Sequence, residues 1–423
     1  MNRRVWVVSE LYYPEDGATG HLLTQIAEGL SQTHSVSVLC GQPYYSRSRP
    51  PSPTRETWRG VQITRVLSTK FPKDRLAGRI MNSLTVSASL FAHLVTKLQP
   101  SDQVLLVTNP PLLPFLALIA TWVRRAGSVL IIHDIYPDVL VPTGFLTPNS
   151  FIYRIMNVAT RFLYRRVDRI VTIGRDMADR VAAKDSRLLA KTTTIPNWAD
   201  LDEIHPAEET RARVRGQLEL EDKFVVQYSG NMGLTHELKA IAQAARIVED
   251  KLGDRVHWMM CGQGGGRREL EKAKTELGLR HMTIRDPVSR DLVNESLNAA
   301  DVAIISFKSG MAGVSVPSRM YNMLAAGLPI IGMCDPESEL ARVIEEDQVG
   351  WTVPPGNPAA LADKVIDLVA RQSEAPGPRI GQRCRRVAEA KYSRQLAIER
   401  YAAVLDADAS GHVRPIEKCL DGS

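Results

Sequence analysis

The sequence has no apolar run long enough to cross a bilayer. Its longest, Leu112 to Val123, contains Pro114 and stops at Arg124-Arg125, short of the roughly 20 residues a span needs, and reads as a buried helix. Met1 to Arg4 leads into Val5-Trp6-Val7-Val8, which Glu10 soon interrupts, so no signal peptide is expected. The five cysteines (Cys40, Cys261, Cys334, Cys384 and Cys419) make no CxxC pair and no Cys/His cluster. That pattern argues against structural zinc and fits reduced thiols in a cytoplasmic protein; Cys40 and Cys261 follow apolar runs and read as small core or strand-end residues. No short repeat or low-complexity tract is visible. There is no aromatic-basic ladder either. The net charge of +6 is spread along the chain, so nucleic acid is not called for, while an anionic substrate or an anionic membrane surface fits.

What is present is the composition of a soluble globular protein, with 44% apolar and 24% charged residues over 423 positions, enough for two or three cores. The first half alternates β-rich runs with helical spacing. Strands are expected at Val5 to Ser9, Val36 to Cys40, Val61 to Leu67, Gln103 to Thr108, Ser128 to His133 and Arg169 to Ile173, with a helix at Gly20 to Gln32. Asp200 to Thr210 reads as a linker. The alternation then restarts, with strands at Phe224 to Ser229, Val256 to Cys261, Met282 to Arg285, Val302 to Ile305 and Pro329 to Met333. Continuous β-branched runs between helices indicate parallel sheets covered on both faces, hence two successive doubly wound α/β units.

Open α/β sheets bind ligands beyond the carboxyl ends of their strands. In the second unit four such junctions stand out. Gly230, Asn231 and Gly233 end one strand, and a glycine turn there lets backbone approach a phosphate; an ordinary turn explains them equally well. Gln263 and Gly264 sit in a second glycine-rich turn that lacks the Walker signature. Asp286-Pro287-Val288 follows the next strand, where backbone groups are candidates to meet a nucleobase edge; a simple strand terminator explains the segment equally well. Finally, Val316-Pro317-Ser318-Arg319-Met320-Tyr321-Asn322 opens a helix that ends at Gly327. Pro317 suits a first turn, Ser318 can cap amides, and Arg319 can bind phosphate oxygens in bidentate fashion. In the first unit, Gly17, Thr19 and Gly20 lie in a loop before a helix, Asn109 ends one strand, and His133-Asp134-Ile135-Tyr136-Pro137-Asp138 ends the next. A His-Asp pair at a strand end can do acid/base work or bind sugar hydroxyls.

These pieces, joined by Tyr13-Pro14-Glu15, Ile195-Pro196-Asn197-Trp198-Ala199-Asp200 and Ala325-Ala326-Gly327-Leu328-Pro329, run in order over nearly the whole chain. Together they resemble the family 4 glycosyltransferases of GT-B fold, in particular the bacterial branch of exopolysaccharide, colanic-acid and O-antigen assembly. The resemblance implies two Rossmann-like domains facing across a cleft. Residues 1–200 would form the acceptor side, 201–390 the nucleotide-sugar side, and 391–423 a helix crossing back plus a loose tail. It implies transfer with retention of configuration and without metal or other cofactor, from a nucleotide-diphosphate sugar (UDP expected ahead of GDP) to a lipid-linked or polysaccharide-precursor acceptor. His133 and Asp134 are then the catalytic candidates; Gly230, Asn231, Gly233, Gln263, Gly264, Val288, Pro317, Ser318, Arg319 and Asn322 the donor-binding ones. Gly17, Thr19, Gly20, Asn109 and Asp138 fall on the acceptor and phosphate side.

One departure from the family pattern stands out: Val314 and Asn322 occupy the places where two glutamates are common, so the ribose contact falls to an amide. A lipid-linked acceptor also implies attachment at the inner face of the cytoplasmic membrane. Arg75 to Leu98, with Leu76, Ile80, Leu84, Phe91, Leu94 and Leu98 near helical spacing and Lys70, Lys73, Arg75 and Arg79 beside its start, suits an interfacial helix; a helix packed on its own sheet fits equally. Two rival functions share the architecture, a nucleotide-sugar epimerase and a non-catalytic partner subunit of a transferase. A Rossmann oxidoreductase is disfavoured because the loop after the first strand lacks the glycine fingerprint.

Overall fold

The computed structural model describes residues 4–15, 17–43, 52–71, 76–372 and 377–407. Asp16, Lys73, Arg75, Cys419 and the tail beyond Ala407 therefore lie outside the described residues. The first unit is an eight-stranded sheet of β1 (Arg4–Ser9), β2 (Ser35–Gly41), β3 (Arg55–Trp58), β4 (Val61–Val66), β5 (Gln103–Val107), β6 (Gly127–Ile132), β7 (Arg169–Thr172) and β8 (Thr192–Thr194). Its spatial order is β3-β4-β2-β1-β5-β6-β7-β8, parallel throughout except for β3, which pairs antiparallel with β4 at the edge. The second is a fully parallel six-stranded sheet of β9 (Phe224–Ser229), β10 (Val256–Cys261), β11 (Met282–Arg285), β12 (Val302–Ser306), β13 (Ile330–Met333) and β14 (Gly350–Val353), in the order β11-β10-β9-β12-β13-β14. Their β-branched runs are buried on both faces, Val5, Val7, Val225, Ile304 and Ile331 completely so, which is why they read as unbroken apolar segments.

This is the GT-B arrangement of two parallel α/β domains that the resemblance implied. In each sheet the chain reverses direction once, between β1 and β5 in the first and between β9 and β12 in the second. Ligand sites are expected at those switch points. Right-handed crossovers then fix the helices. Leu76–Lys97, Leu113–Arg124 and Phe151–Arg166 follow successive steps in one direction and lie side by side on one face. Ala18–Leu30 follows the opposite step and covers the other face.

Three expectations need amendment. The edge strands β3, β8 and β14 were not foreseen; the first two are short and polar and carry no apolar period to read. The helix at Leu113–Arg124 is not buried throughout, since Trp122 is 74% and Val123 63% exposed. The stretch Asp200 to Thr210 is no loose tether: Ile204 is buried, helix Glu208–Gln217 begins inside it, and Arg385 donates to the carbonyls of Leu201 and Ile204. The two chain crossings between domains run together, with Ala199 bridged to Ser393. Helix Arg394–Asp406 then packs on Ala18–Leu30, where Arg394 meets Glu28 at 3.3 Å.

Candidate active site at the domain junction

The turns after β9 and β10 interlock by backbone. Gly230 N donates to the Cys261 carbonyl at 2.9 Å, Met232 N to that of Gln263 at 2.8 Å, and Gly266 N to that of Met232 at 2.8 Å. This explains the glycines of the second turn without a ligand. A Cβ on Gly262 would stand 1.9 Å from the Gly230 oxygen, and one on Gly264 2.4 Å from that of Met232. Gln263, exposed, lies 3.4 Å from Asp286, which pairs with Arg267; this network ties the ends of β10 and β11 together. Val288 is half-buried against the core, and Asn231 and Gly264 are exposed at the rim.

Gly230 leaves room for a different neighbour. Its absent Cβ would lie 3.2 Å from Nη1 of Arg319. The Arg319 guanidinium sits 4.4 Å over the ring of Tyr228, whose hydroxyl is fixed by donating to the Asn231 carbonyl at 2.7 Å. Nη2 of Arg319 lies 3.1 Å from Nδ1 of His236, but that nitrogen also faces the Ser306 carbonyl and cannot serve both as donor and as acceptor. Burial first, and the Arg319 charge next, lower the His236 pKa to about 3, so the ring is neutral near pH 7. Nη1 of Arg319 is buried with no hydrogen-bond partner, and among the described residues no carboxylate pairs with this arginine. A guanidinium so placed is costly unless an anion completes it.

The helix behind it is shorter than expected. It spans Arg319–Ala325, and Ser318 is already helical and makes no side-chain cap. An anion there would meet the Arg319 side chain more than a helix start. Pro317 is buried just ahead of it, and Asn322 is half-buried within it.

The loop that delivers Arg319 is held from across the cleft. Asp134 bridges Ser315 antiparallel, Ile135 N donates to the Val314 carbonyl at 3.0 Å, and Oδ2 of Asp176 accepts from the amides of Gly313 and Glu339, both at 2.8 Å. Val314 is completely buried in this junction, so a position where the family often has glutamate here serves domain contact. Arg175, next to Asp176, chelates Glu339 and reaches Glu346. Between Asp176 and the loop after β12 lies a recess of about 230 Å³ lined by Phe307, Met311, Ser315, Pro317 and Asp335. That figure includes space open to solvent, and the enclosed part is water-sized, so the recess forms at most one corner of a site.

On the first domain, His133 and Asp134 end β6 beside this junction. His133 keeps a partly accessible surface, and its backbone amide approaches Thr108 Oγ1 at 3.4 Å. The surrounding protein lowers its pKa to about 4, so it offers a neutral imidazole. Burial raises the Asp134 carboxyl, partly offset by a hydrogen bond with Ser315. Asp138 stands apart from a ligand role: it is buried and spends its two oxygens on Arg180 at 3.0 Å and Lys184 at 2.6 Å, pinning the loop after β6 to helix Arg175–Lys184. Asn109 is exposed at the end of β5. Gly17 is exposed at the head of helix Ala18–Leu30, Thr19 is half-buried, and buried Gly20 accepts from Thr24. His236, Asp176 and Glu339 were not singled out from the sequence. Asp176 lies in the first turn of helix Arg175–Lys184, just after β7, so the strand-end rule applied evenly would have reached it. Among the described residues no cluster of three His, Cys, Asp or Glu side chains could hold a metal ion.

Two facing domains, each a parallel α/β sheet with a switch point, have the architecture of the GT-B class. Comparison with known proteins narrows this. A profile for a glycosyl transferase 4-like domain matches residues 17–198, and one for glycosyl transferases group 1 matches residues 210–392. The chain belongs to the family 4 glycosyltransferases. It is 29% identical over 407 residues to a probable glycosyltransferase, WbjE, of Pseudomonas aeruginosa, covering 95% of this chain and 97% of that one. It is 28% identical over 350 residues to a putative colanic acid biosynthesis glycosyl transferase, WcaI, of Escherichia coli, covering 79% and 84%. Among solved structures, Anabaena HepE in complex with UDP and glucose superposes with a TM-score of 0.70 at 14% identity over 96% of this chain and 99% of that one. WaaG, a glycosyltransferase involved in lipopolysaccharide biosynthesis, gives 0.67 at 15% identity over 96% and 100%. Identities this low carry the fold alone.

Proposed function

We propose that this chain transfers a sugar, with retention of configuration, from a UDP-sugar to a lipid-linked or polysaccharide-precursor acceptor in the assembly of a bacterial cell-surface polysaccharide. The observation that carries the donor half is Arg319, a guanidinium lodged under Gly230 with a buried nitrogen and no carboxylate. As the bond from the sugar's anomeric carbon to the diphosphate breaks, negative charge grows on the departing phosphate. A pre-positioned arginine stabilises that charge without reorganising. On this reading transfer needs no metal, and EDTA leaves the rate unchanged. Asn322, one helical turn past Arg319, is placed for the ribose hydroxyls. The neutral imidazole of His133 suits a hydrogen bond to a sugar hydroxyl better than an ionic contact, and Asp134 holds that strand end against the donor loop. The polysaccharide setting and the UDP donor are supported by what WcaI and HepE are described as doing and binding.

The test is calorimetric titration with UDP, GDP and their sugars, beside hydrolysis of the donor in the absence of acceptor. Wild type should bind UDP, and Arg319→Ala should weaken that binding on the order of 100-fold with melting unchanged or raised, because an uncompensated buried charge has gone. Arg319→Lys should restore only part of it, since an ammonium lacks the planar fork. His133→Ala should lower turnover and leave UDP affinity intact. Equal affinity in Arg319→Ala would remove the donor assignment, and conversion of donor to an epimer without acceptor would replace transfer by isomerisation.

A further inference from the structure

The outer face of the amino-terminal domain carries an apolar surface that the other described residues leave uncovered. On helix Phe151–Arg166, Phe151 is 77%, Ile155 52%, Val158 68% and Phe162 52% exposed. Their spacing of four, three and four residues makes one stripe along the helix. Alongside, helix Leu113–Arg124 exposes Ile119, Trp122 and Val123. The two helices adjoin, because the Arg166 guanidinium stacks 5.6 Å from the Trp122 ring and 5.4 Å from that of Phe162. Continuous apolar patches of this kind mark interaction sites rather than idle surface.

Charge says what covers the patch. Neither helix contains a single Asp or Glu, whereas Arg124, Arg154, Arg161, Arg165 and Arg166 lie along them. Arg165 is committed to Asp185; Arg154 and Arg166 are exposed. A second copy of the chain packed through the same face would set arginine against arginine. An apolar stripe flanked by arginines and a tryptophan matches a bilayer interface instead, where aromatic rings sit among headgroups and guanidinium groups reach lipid phosphates. The neighbouring helix Leu76–Lys97 joins only through its first turns, with Ile80, Met81 and Leu84 exposed, while Leu90 and Leu94 are fully buried on its own sheet.

We infer that helices Phe151–Arg166 and Leu113–Arg124 form a docking face for an anionic phospholipid bilayer. This locates the surface at which a lipid-linked acceptor would be met, and so rests on the acceptor reading above for its purpose, but not for its test. Helix Phe151–Arg166 follows the loop after β6, so the docking face begins at the end of the sheet that also carries His133 and Asp134.

The experiment floats the full chain with vesicles of phosphatidylcholine alone or mixed with phosphatidylglycerol, with no acceptor present. Wild type should float with the anionic vesicles, poorly with the neutral ones, and less as salt rises. The double variant Phe151→Glu/Val158→Glu should lose about tenfold or more of that binding, and Arg154→Glu/Arg166→Glu should lose it on anionic vesicles, each with its melting and UDP titration unchanged. Failure of wild type to float, or flotation of both variants at the wild-type level, overturns the inference. So does a lipid-free dimer in sedimentation velocity that Phe151→Glu/Val158→Glu dissociates, since the face would then join two copies. None of these outcomes touches the donor reading, which the UDP titration tests by itself.

Discussion

Among the described residues, the strand ends of the carboxyl-terminal sheet present a cation with no carboxylate beside it, whereas those of the amino-terminal sheet present carboxylates engaged by groups of the protein itself. Arg319 waits under Gly230 with a buried nitrogen unsatisfied; Asp138 holds Arg180 and Lys184, and Asp176 holds two amides from across the cleft. The difference separates binding from building. A charge left uncompensated in a protein interior is destabilising, which is why Arg319 carries the donor proposal, while Asp138 and Oδ2 of Asp176 are already bonded and position the loops that face it. On the two proposals above, the domains also use their surfaces differently, the second around a nucleotide and the first around an apolar outer face.

The largest expected effect tests the building half of the carboxyl-terminal site. Gly262→Ala would push a methyl to 1.9 Å from the Gly230 oxygen at a backbone φ of +157°, so the turns after β9 and β10 must separate. We expect a loss of more than about 3 kcal/mol and loss of UDP binding with it, read by urea denaturation and calorimetry. Next comes the junction. Asp176→Ala strands the buried amides of Gly313 and Glu339 and should cost about 2–4 kcal/mol. Asp176→Asn should cost far less, because a single oxygen, Oδ2, accepts both amides while Oδ1 has no partner. An asparagine as damaging as alanine would show that the charge, and not the acceptor, holds the domains together.

How much of this was legible in the sequence follows the same division. The β-branched runs of β1, β2, β5, β9 and β12 announced two parallel sheets because burial on both faces leaves an unbroken apolar signature. The short polar strands β3 and β8 have none, and pairing with an existing edge makes them. Arg319 was legible through its place ahead of a helix; its lack of a partner was not, because that depends on what β9, Gly230 and His236 bring from more than 80 positions away. The glycines of the turn after β10 were legible as special, but not their neighbour, since it is the Gly230 carbonyl that fills the space at Gly262. The exposed stripe at Phe151 to Phe162 is perfectly periodic, yet periodicity cannot say whether a face looks inward or outward. The same ambiguity led to Arg75 to Leu98 as the interfacial candidate and to Leu112 to Val123 as a buried helix.

Acidification gives a smaller and graded effect that again divides the two regions. Burial holds His236 at about 3 and His133 at about 4, against about 6.5 in an unfolded chain. Below 6.5 the unfolded chain takes up protons that the native one refuses, so these histidines' contribution to stability is complete above about pH 6.5 and is lost as pH falls towards 4. Asp134, Asp176 and Glu339 oppose this, because burial raises each of them and their contribution is lost as pH rises through the shifted values. Substitution separates the two: His133→Gln and His236→Gln should each flatten the fall in melting temperature between pH 7 and 5. With UDP bound beside Arg319 the His236 share should shrink and the His133 share should not. An unchanged slope in both variants would show that neither histidine governs the acid limb.

The smallest effect belongs to Gly17, the counterpart of Gly262 on the opposite wall. Its φ of −65° is ordinary for any residue, and a Cβ there would meet nothing within 4 Å. Gly17→Ala should therefore move stability by less than about 0.5 kcal/mol and leave UDP affinity alone. If this loop covers a bound ligand closely, the methyl will matter only then, and transfer will fall while melting stays at the wild-type value. A loss confined to turnover would assign Gly17 to the substrate face of the cleft. No loss in either measurement would leave its glycine to the helix start alone, and would mean that donor grip lies entirely on the carboxyl-terminal side.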